Sequence, residues 1–422
     1  MREMKNSGIE WIGDIPSDWK LPKVKKLFKI GRGRVIAVTE MNPDGKYPVF
    51  SSQTKNDGCL GYIDTYDFDQ DQLTWTTDGA NAGTVFLRRG KHNCTNVCGI
   101  LLPYTNDNDL RFLKYSLEYI AIFHKRADIN GFKIMNNEMA DIVITLPPLS
   151  EQIVIADFLD EKCAEIDTVI EKTKATIEEY KKLKQSVITQ AVTKGIRPNR
   201  PMKDSGIEWI GEIPADWSVR KLKTFTTQIS KGATPKDMST EKTDFYSIRF
   251  LKSENIVDNQ LMSVPEFYIE ESIHSGELKR SQLSDNDIMF VIAGASIGKV
   301  AIVSNELLPA NTNQAMSFIR VLEKYKEIKK YLWYVLQSDI MKLFITLYSV
   351  QSAQPNISME NLGNFRLCVP ADFQEIKDIL LYLNIKCLEI DELIAKKTSL
   401  LSELESYKKS LIYEYVTGKK EV

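Results

Sequence analysis

The chain has 422 residues, of which 43% are hydrophobic and 27% charged, as in an ordinary water-soluble protein of several domains. Its net charge of −2 argues against a protein coated in positive charge, so any DNA-binding surface must be local. No N-terminal apolar run resembles a signal peptide and no stretch resembles a membrane span. The sequence therefore predicts a cytoplasmic protein whose six cysteines are reduced.

The first element is a tryptophan motif at residues 7–19, Ser-Gly-Ile-Glu-Trp-Ile-Gly-Asp-Ile-Pro-Ser-Asp-Trp, which returns almost unchanged at residues 205–217. The two copies hold four of the six tryptophans of the chain. We expect these tryptophans to anchor the start of each globular unit on the end of a helix. Stacking of the tryptophans on bases is the alternative.

Short strand-like runs alternate with Gly, Asn and Asp at residues 21–146 and again at residues 222–369, and this pattern predicts two globular units. Each unit also contains one amphipathic run that predicts a helix, at 110–124 and at 331–348. The predicted strands are 47–50, 73–77, 84–87, 97–102, 140–146, 287–293, 300–303, 316–321 and 365–369.

Residues 151–195 and 372–418 predict two long helices. Each has a 4-3-4-3 spacing of mostly apolar residues and no proline, which is the pattern of a coiled coil. The first seam comprises Leu159, Cys163, Ile166, Ile170, Thr173, Ile177, Tyr180, Lys184, Val187 and Ala191, and the second comprises Leu383, Cys387, Ile390, Ile394, Lys397, Leu401, Leu404, Lys408, Leu411 and Tyr415.

The spacing of these repeats predicts the topology. The helix seams are 224 positions apart and the tryptophan motifs 198 apart, and the two offsets together equal the chain length of 422. Such a sequence is a closed two-fold repeat that has been cut once, so each helix must lead from one unit into the other. We predict a mixed α+β fold, in which two globular α/β units are joined by an antiparallel, pseudo-two-fold symmetric coiled coil and the chain ends lie close together.

Two glycine-rich turns correspond across the units, Asp78-Gly-Ala-Asn-Ala-Gly-Thr and Ala293-Gly-Ala-Ser-Ile-Gly-Lys. The second turn is not a nucleotide-binding P-loop, because Ala293 stands where that motif needs Gly and Lys299 is followed by Val300. Two interpretations remain open, a hairpin turn and a close backbone approach to nucleic-acid phosphate.

The residues offer little for catalysis or metal binding. His92, Cys94 and Cys98 form the His/Cys cluster of the sequence, but a fourth ligand is missing, so packed thiols are favoured over a metal site. No catalytic constellation stands out, and we predict no cofactor and no metal.

The polar loops fit DNA recognition better. Two basic stretches without an acidic residue, 20–34 and 218–236, occupy equivalent places, and the loops near them are rich in groups that hydrogen-bond base edges. Each loop taken alone is also consistent with an ordinary solvated surface. The candidate DNA contacts are Arg32, Arg34, Ser51, Gln53, Lys55, Asn56, Asp78, Asn81, Lys133, Lys231, Thr234, Lys236, Lys252, Asn255, Ser296, Lys299, Asn313, Gln314, Gln354 and Asn356.

Four motifs in this order resemble the DNA-specificity subunit of type I restriction-modification systems. They are the repeated tryptophan motif, Leu146-Pro-Pro-Leu-Ser-Glu-Gln-Ile, Lys231-Gly-Ala-Thr-Pro and Gly294-Ala-Ser-Ile-Gly-Lys-Val. The resemblance covers the whole chain. It departs at Val369-Pro-Ala-Asp-Phe-Gln-Glu-Ile, which replaces the usual start of the second helix, and at Gly31-Arg-Gly-Arg, which replaces Gly-x-Thr-Pro.

The resemblance implies target-recognition domains at 1–147 and 201–370, each reading one half of a split, asymmetric double-stranded DNA site. It implies conserved helical regions at 148–200 and 371–422 that set the spacer between the halves. The subunit itself is expected to be non-catalytic. It is expected to recruit two adenine methyltransferase subunits and, through them, ATP-dependent restriction subunits, and the candidate partner contacts are Glu151, Gln152, Phe158, Phe373 and Glu375.

Two other function classes remain as alternatives. One is a protein scaffold that holds two partner subunits without reading DNA. The other, less favoured, is a fused nuclease or methyltransferase, which would have to bind the methyl donor by itself.

Overall fold

The computed structural model describes residues 2–129, 131–349 and 355–422. The chain divides into two compact units. The first unit consists of Met1–Lys174 and Thr398–Val422, and the second is the continuous stretch Ala175–Lys397. Each unit therefore includes part of both long helices. The predicted domains instead separate the helices from the globular regions, and their boundaries stay a prediction.

The first unit contains short strands that form three sheets and a terminal pair. The strands are β1 Met4–Asn6, β2 Asp14–Pro16, β3 Phe28–Arg32, β4 Tyr47–Phe50, β5 Cys59–Ile63, β6 Phe68–Asp69, β7 Gln72–Thr76, β8 Asp78–Gly79, β9 Val85–Arg88, β10 Lys91–Cys94, β11 Cys98–Pro103, β12 Arg126–Asp128 and β13 Gly131–Lys133. The main sheet is four-stranded and antiparallel, with the order β3-β11-β7-β9. A second sheet has the order β5-β4-β10-β6, in which β10 runs parallel to β4, and a small sheet has the order β12-β13-β8.

Helix α1, Leu110–His124, packs its apolar face into the core of this unit, and α2, Asn136–Asp141, follows. Asp109 caps α1 by accepting a hydrogen bond from the Arg111 backbone N–H at 2.7 Å, which satisfies a donor that the first helical turn leaves free. The predicted helix at 110–124 is therefore confirmed.

The second unit repeats this plan. Its strands are β14 Met202–Asp204, β15 Glu212–Pro214, β16 Ser218–Lys221, β17 Thr226–Lys231, β18 Tyr246–Leu251, β19 Ile256–Val257, β20 Gln260–Leu261, β21 Tyr268–Glu270, β22 Ile288–Val291, β23 Val300–Ile302, β24 Ala310–Thr312, β25 Met316–Val321 and β26 Arg366–Val369. The main sheet has the order β17-β25-β22-β23, and β18 lies between antiparallel β21 and parallel β24. Its shorter helices are α4 Glu271–Ser275, α5 Lys329–Gln337, α6 Asp339–Tyr348 and α7 Met359–Asn364.

Helices α3, Leu149–Lys194, and α8, Phe373–Val416, are the two predicted long helices. In the first unit Asp167 pairs with Lys408 at 2.6 Å, and the N-terminal part of α3 runs antiparallel to the C-terminal part of α8. In the second unit Lys184 pairs with Asp391, also at 2.6 Å, in the equivalent antiparallel arrangement. The predicted seams lie on the buried or half-buried side of both helices, so the mixed fold with antiparallel helices is confirmed.

The described part of the chain contains no helix that is long and apolar enough to cross a membrane.

The tryptophan motifs anchor the units on the long helices. In the first unit the buried indole N–H of Trp19 donates to Glu151 of α3 at 3.0 Å, and Arg2 bonds the same carboxylate and Asp18. In the second unit Trp217 donates to Glu375 of α8 at 3.2 Å. The structural interpretation of these tryptophans is confirmed.

Equivalent contacts complete the second copy. Arg200 bonds Glu375 and Asp216 there, as Arg2 bonds its two carboxylates in the first unit. Each guanidinium lies 5.7 Å from the ring of its tryptophan. We call each Arg–Glu–Trp group a clasp.

The predicted closeness of the chain ends is also confirmed. The Lys419 ammonium donates to the carbonyl of Asp14, and the hydroxyl of Thr145 donates to the carbonyl of Val416.

Two predicted elements are wrong. The segment 140–146 is not a strand, because its first two residues end α2 and only Val143 and Leu146 form isolated bridges, with Lys23 and Lys20. The predicted helix 331–348 is two helices, because the backbone at Ser338 is extended, with a φ of −66° and a ψ of 160°.

Candidate nucleic-acid interface

The two glycine-rich turns are equivalent hairpin turns at the end of the main sheets. They connect β7 to β9 and β22 to β23. The first and second glycines have φ values of +88° and +91° in the first unit, at Gly79 and Gly83, and of +89° and +90° in the second, at Gly294 and Gly298. L-residues rarely adopt these backbone angles, so the hairpin needs glycine at both places. The hairpin interpretation is confirmed, and an approach to phosphate stays a prediction.

Each turn is paired along one edge with a polar segment. In the first unit Asp78 pairs with Lys133 in the β8–β13 ladder, and the Lys133 ammonium also bonds Asp128 at 2.6 Å. In the second unit Ala293 pairs with Asn356, whose side chain is exposed. The structure thus brings Asp78, Asn81 and Lys133 together in one unit, and Ser296, Lys299 and Asn356 together in the other.

The polar loop 51–58 of the first unit lies beside its glycine turn. The Asn81 amide donates to the Thr54 hydroxyl at 3.0 Å, which joins the loop to the turn. Ser51 accepts a hydrogen bond from Thr95, and the Gln53 amide donates to the Cys59 carbonyl, so both are partly engaged inside the unit. Lys55 and Asn56 stand exposed at the tip.

Each basic segment contains a glycine directly after its sheet strand, Gly33 after β3 and Gly232 after β17, and each glycine packs closely against the backbone of another segment. A Cβ atom at Gly33 would lie 1.9 Å from the carbonyl oxygen of Cys94, and one at Gly232 would lie 1.7 Å from that of Thr312. Because neither position has room for a side chain, the flanking residues are held next to the loop that follows β10 or β24.

Arg32 and Arg34 flank Gly33 and are both exposed, but their charges are not equally available. Arg34 bonds Glu40 at 2.8 Å and Asp67 at 3.1 Å. Arg32 donates to the side-chain oxygen of Asn136 at 3.3 Å and pairs with no carboxylate among the described residues. Of the two, Arg32 offers the less neutralised charge to an anion.

The candidates of the second unit fall into two groups. Lys231, Thr234, Lys236 and Gln314 are exposed around Gly232, and the Thr234 hydroxyl bonds the Gln314 side chain.

The remaining candidates of this unit are more engaged. The Lys252 ammonium lies 3.5 Å from the centre of the Phe267 ring, and the Lys299 ammonium donates to a backbone carbonyl at 3.2 Å. Asn255 is fully buried and its amide braces the loop by donating to two carbonyls at 3.2 and 2.8 Å. Asn313 has a buried side-chain oxygen without a partner in the described chain, and Gln354 lies outside the described residues.

Arg88 was missed in the sequence. It ends β9 directly below the polar loop, where its side chain is buried and bonds Asp57. The available signal was a charged residue inside a short apolar strand, which needs a partner when the strand is buried.

The candidate partner contacts divide by exposure. Phe373 is 40% exposed at the start of α8. Glu375 is 1% exposed and held in its clasp, Glu151 is half-buried in the other, and the buried Gln152 amide donates to the Pro147 carbonyl and to Asn108. Phe158 packs on a ring of α8 at 4.5 Å.

The His/Cys cluster packs in the core of the first unit. Cys94 and Cys98 are buried free thiols beside Ile100. His92 stacks on Phe68, and its ring nitrogens bond Gln72 and the Gly90 carbonyl, each at 2.7 Å. Burial lowers the pKa of His92. Among the described residues no group of three or more His, Cys, Asp or Glu side chains is arranged to hold a metal ion.

The described residues thus contain two copies of one scaffold, each with exposed polar loops around a glycine hairpin. The family model described as the type I restriction modification DNA specificity domain matches residues 16–179 and 214–400. The chain therefore belongs to the type I restriction-modification DNA specificity family, and it carries two copies of that domain.

Known relatives agree with this membership. The specificity subunit of the type I restriction enzyme MjaVIII of Methanocaldococcus jannaschii is 27% identical over 425 residues, covering 96% of this chain and 93% of the relative. The MpnII specificity subunit of Mycoplasma pneumoniae is 40% identical over 139 residues, which cover 32% of this chain and 42% of that subunit.

A solved structure shares the fold. It comes from work on complex assembly and conformational transition of a type I restriction-modification system, with a TM-score of 0.66 and 12% identity, covering 96% of this chain and 99% of that one.

Proposed function

We propose that this chain is a non-catalytic specificity subunit that reads a bipartite, asymmetric DNA site, with one half-site read by each unit. The observation that carries the proposal is the repetition of one scaffold with different loops. Both units place a glycine hairpin, a glycine-flanked basic segment and a polar edge together, yet the side chains around these features differ. Equivalent surfaces with different side chains suit two different short sequences.

Within this proposal, exposed side chains without strong internal partners contact the DNA. Arg32, Lys55 and Asn56 meet this condition in the first unit, and Lys231, Lys236 and Asn356 meet it in the second. Asn255 and Gln53 would act by shaping their loops, because their amides are used inside the protein.

The helices α3 and α8 would set the spacer between the half-sites. Insertion of one heptad in each helix should lengthen the preferred spacer by a whole number of base pairs without changing either half-site. An unchanged spacer in the methylated motif would remove this role.

The proposed partners are two adenine methyltransferase subunits, with ATP-dependent restriction subunits bound through them. Exposed apolar residues along the helices support docking of other proteins, since solvated helices normally expose polar groups. Leu149, Ile153 and Val154 are exposed on α3, and Leu381 and Leu388 are exposed on α8. Phe373 belongs with them, whereas Glu375 and Gln152 would support the partner surface from inside.

Since the net charge is −2, we expect the isolated chain to bind DNA weakly and with a steep salt dependence. The partner subunits would supply much of the positive charge around the DNA. Tight binding at elevated salt without partners would contradict this expectation.

The deciding experiment is single-molecule sequencing of adenine methylation in cells that express this chain with a cognate methyltransferase subunit. A split motif is expected, and exchange of the first globular unit for that of a relative should change one half of it only. If the complex forms but no new methylation is found, or if the exchange leaves the motif unchanged, the DNA-reading function is wrong and a protein scaffold is favoured.

A further inference from the structure

Arg88 lies in the core of the first unit under the polar loop. Its side chain is 1% exposed, and its guanidinium carbon lies 3.7 Å from the centre of the Phe50 ring and 4.3 Å from that of Phe86. Burial lowers the pKa of this guanidinium, but arginine remains charged at neutral pH. A buried charge needs partners, and the partners of Arg88 identify what it holds.

Most of its hydrogen bonds go to the loop. Nη1 donates to the carbonyl oxygen of Asp57 at 2.7 Å and to the carboxylate of Asp57 at 3.0 Å. Nε donates to the hydroxyl of Thr74 on β7 at 3.1 Å, which fixes the guanidinium to the sheet. The arginine therefore ties the loop backbone to the rigid core.

The tied backbone is an uncommon one. Asn56 and Asp57 have φ values of +49° and +52°, so two consecutive residues other than glycine are left-handed, which is unfavourable for L-residues. At the next position, a Cβ atom on Gly58 would lie 2.7 Å from Nη2 of Arg88. The loop thus lies directly against the guanidinium.

This shape directs two unengaged polar groups outward. The ammonium of Lys55 and the amide of Asn56 are exposed and have no partner among the described residues. In the major groove an amide can pair with adenine, and an ammonium can donate to guanine, but only where the backbone holds them at the right angle.

The second unit has no such support at the equivalent place. The residue equivalent to Arg88 is Val303, because Val303 lies opposite Asp287 on the neighbouring strand in the same way that Arg88 lies opposite Gln72. Val303 is buried in an apolar cluster. Changes at Arg88 should therefore affect one unit only.

Resting on the proposed function, we propose that Arg88 is a positioning residue for DNA specificity in the first unit. From within the core it holds the loop at residues 55–58 in the one conformation in which Lys55 and Asn56 read adjacent bases. Its removal should leave DNA binding by the loop possible but less selective.

The test uses the full chain in complex with its methyltransferase subunits and sequencing of adenine methylation. Arg88→Met keeps an unbranched side chain that can stay buried, but removes the guanidinium with its hydrogen bonds and its contacts with Phe50 and Phe86. We expect the half-site read by the first unit to become degenerate, with discrimination at one or two positions reduced about 10-fold or more, and the other half-site unchanged. Arg88→Lys should restore part of the discrimination, and the exposed neighbour Arg89→Met, the matched control, should change neither half.

A stability defect alone would lower methylation at all sites equally and leave the motif intact, and that result would overturn the proposal. So would an unchanged motif in Arg88→Met. If this variant does not fold, Asp57→Ala decides: the side chain is 75% exposed, and the change removes the carboxylate bond to Arg88 and disfavours the left-handed backbone, so it should relax the same half-site. An unchanged motif in that case also overturns the proposal. Failure of the proposed function is separate, because the unmodified complex would then give no split motif.

Discussion

The two units agree where they join the long helices and differ beneath their loops. Both clasps use the same three residue types, and both main sheets have the same strand order. In contrast, Arg88 under the first loop is replaced by Val303, and the second unit instead buries Asp287 with Arg320 at 2.7 Å. Under the proposed function, the shared clasps hold each unit on the long helices, and the residues that differ beneath the loops determine which bases each unit reads. Within that proposal, the loops can differ between the units while the junctions with the helices stay the same.

The largest expected effect comes from breaking the clasps. Glu375→Ala leaves Arg200 and the buried Trp217 indole without their partner, at a cost of about 3–5 kcal/mol in the free energy of unfolding of the second unit. Glu151→Ala should cost the first unit less, about 1–3 kcal/mol, because this carboxylate is 25% exposed. Hydrogen exchange followed by mass spectrometry resolves the two units.

Exposed carboxylates on the same helices, Glu161→Ala and Glu392→Ala, serve as matched controls. An equal loss of protection in both clasp variants would show that the burial difference has no energetic consequence.

A smaller and symmetric effect is expected at the two compressed glycines. Gly33→Ala and Gly232→Ala place a Cβ atom within 2 Å of a carbonyl oxygen, so strand and loop must separate, at a cost of about 1–3 kcal/mol in each unit. Thermal unfolding combined with hydrogen exchange should show a similar loss of stability for Gly33→Ala in the first unit and for Gly232→Ala in the second. Gly31→Ala is a matched control, since a Cβ there meets no atom within 4 Å. A loss in one unit only would contradict the equivalence of the segments.

A decrease in pH should lower the stability of the first unit through His92, and this effect should be smaller than those of the clasp and glycine variants. Burial lowers the pKa of His92 in the folded first unit below its ordinary value of about 6.5. The unfolded state then binds more protons as the pH falls below about 6.5, so the stability of this unit decreases there until the folded histidine also titrates. His92→Gln should reduce this dependence between pH 7.5 and 5, measured as exchange protection. His124 shifts in the same direction and keeps part of it. An unchanged slope in the variant would rule out His92 as a source.

The smallest effect belongs to the paired charges on the helices. Lys184 with Asp391 and Lys408 with Asp167 are partly exposed, so each pair should contribute less than about 1 kcal/mol. A double-mutant cycle on each pair, read by thermal unfolding, should give the same small coupling in both units. A coupling that is confined to one unit would break the symmetry.

The sequence was sufficient to predict the features that repeat between the units, such as the tryptophan motifs, and the features with a regular period, such as the long helices. The seam spacing predicted both helices to within two residues at each end, because burial against a partner helix enforces that period. It failed at Ser338, where a single extended residue interrupts an unbroken apolar pattern, and at 140–146, where a short helix and isolated bridges replace a ladder. The proposed role of Arg88 depends on a contact with Asp57 across 31 positions of sequence. A charged residue in an apolar strand indicates that a partner is needed, but no local pattern identifies Asp57 as that partner.

The division of the chain has a consequence for its synthesis. The second unit is one continuous stretch, whereas the first combines Met1–Lys174 with Thr398–Val422. At roughly 5–20 residues per second, the ribosome needs tens of seconds between the two parts of the first unit. During that interval the apolar side chains Leu159, Ile166 and Ile170 of α3 lack their partner helix α8. The sheets of the first unit can already form, because all of their strands precede α3. The unit translated second is thus the first that can finish folding, and an N-terminal fragment that ends at Lys174 should aggregate unless the C-terminal segment is supplied with it.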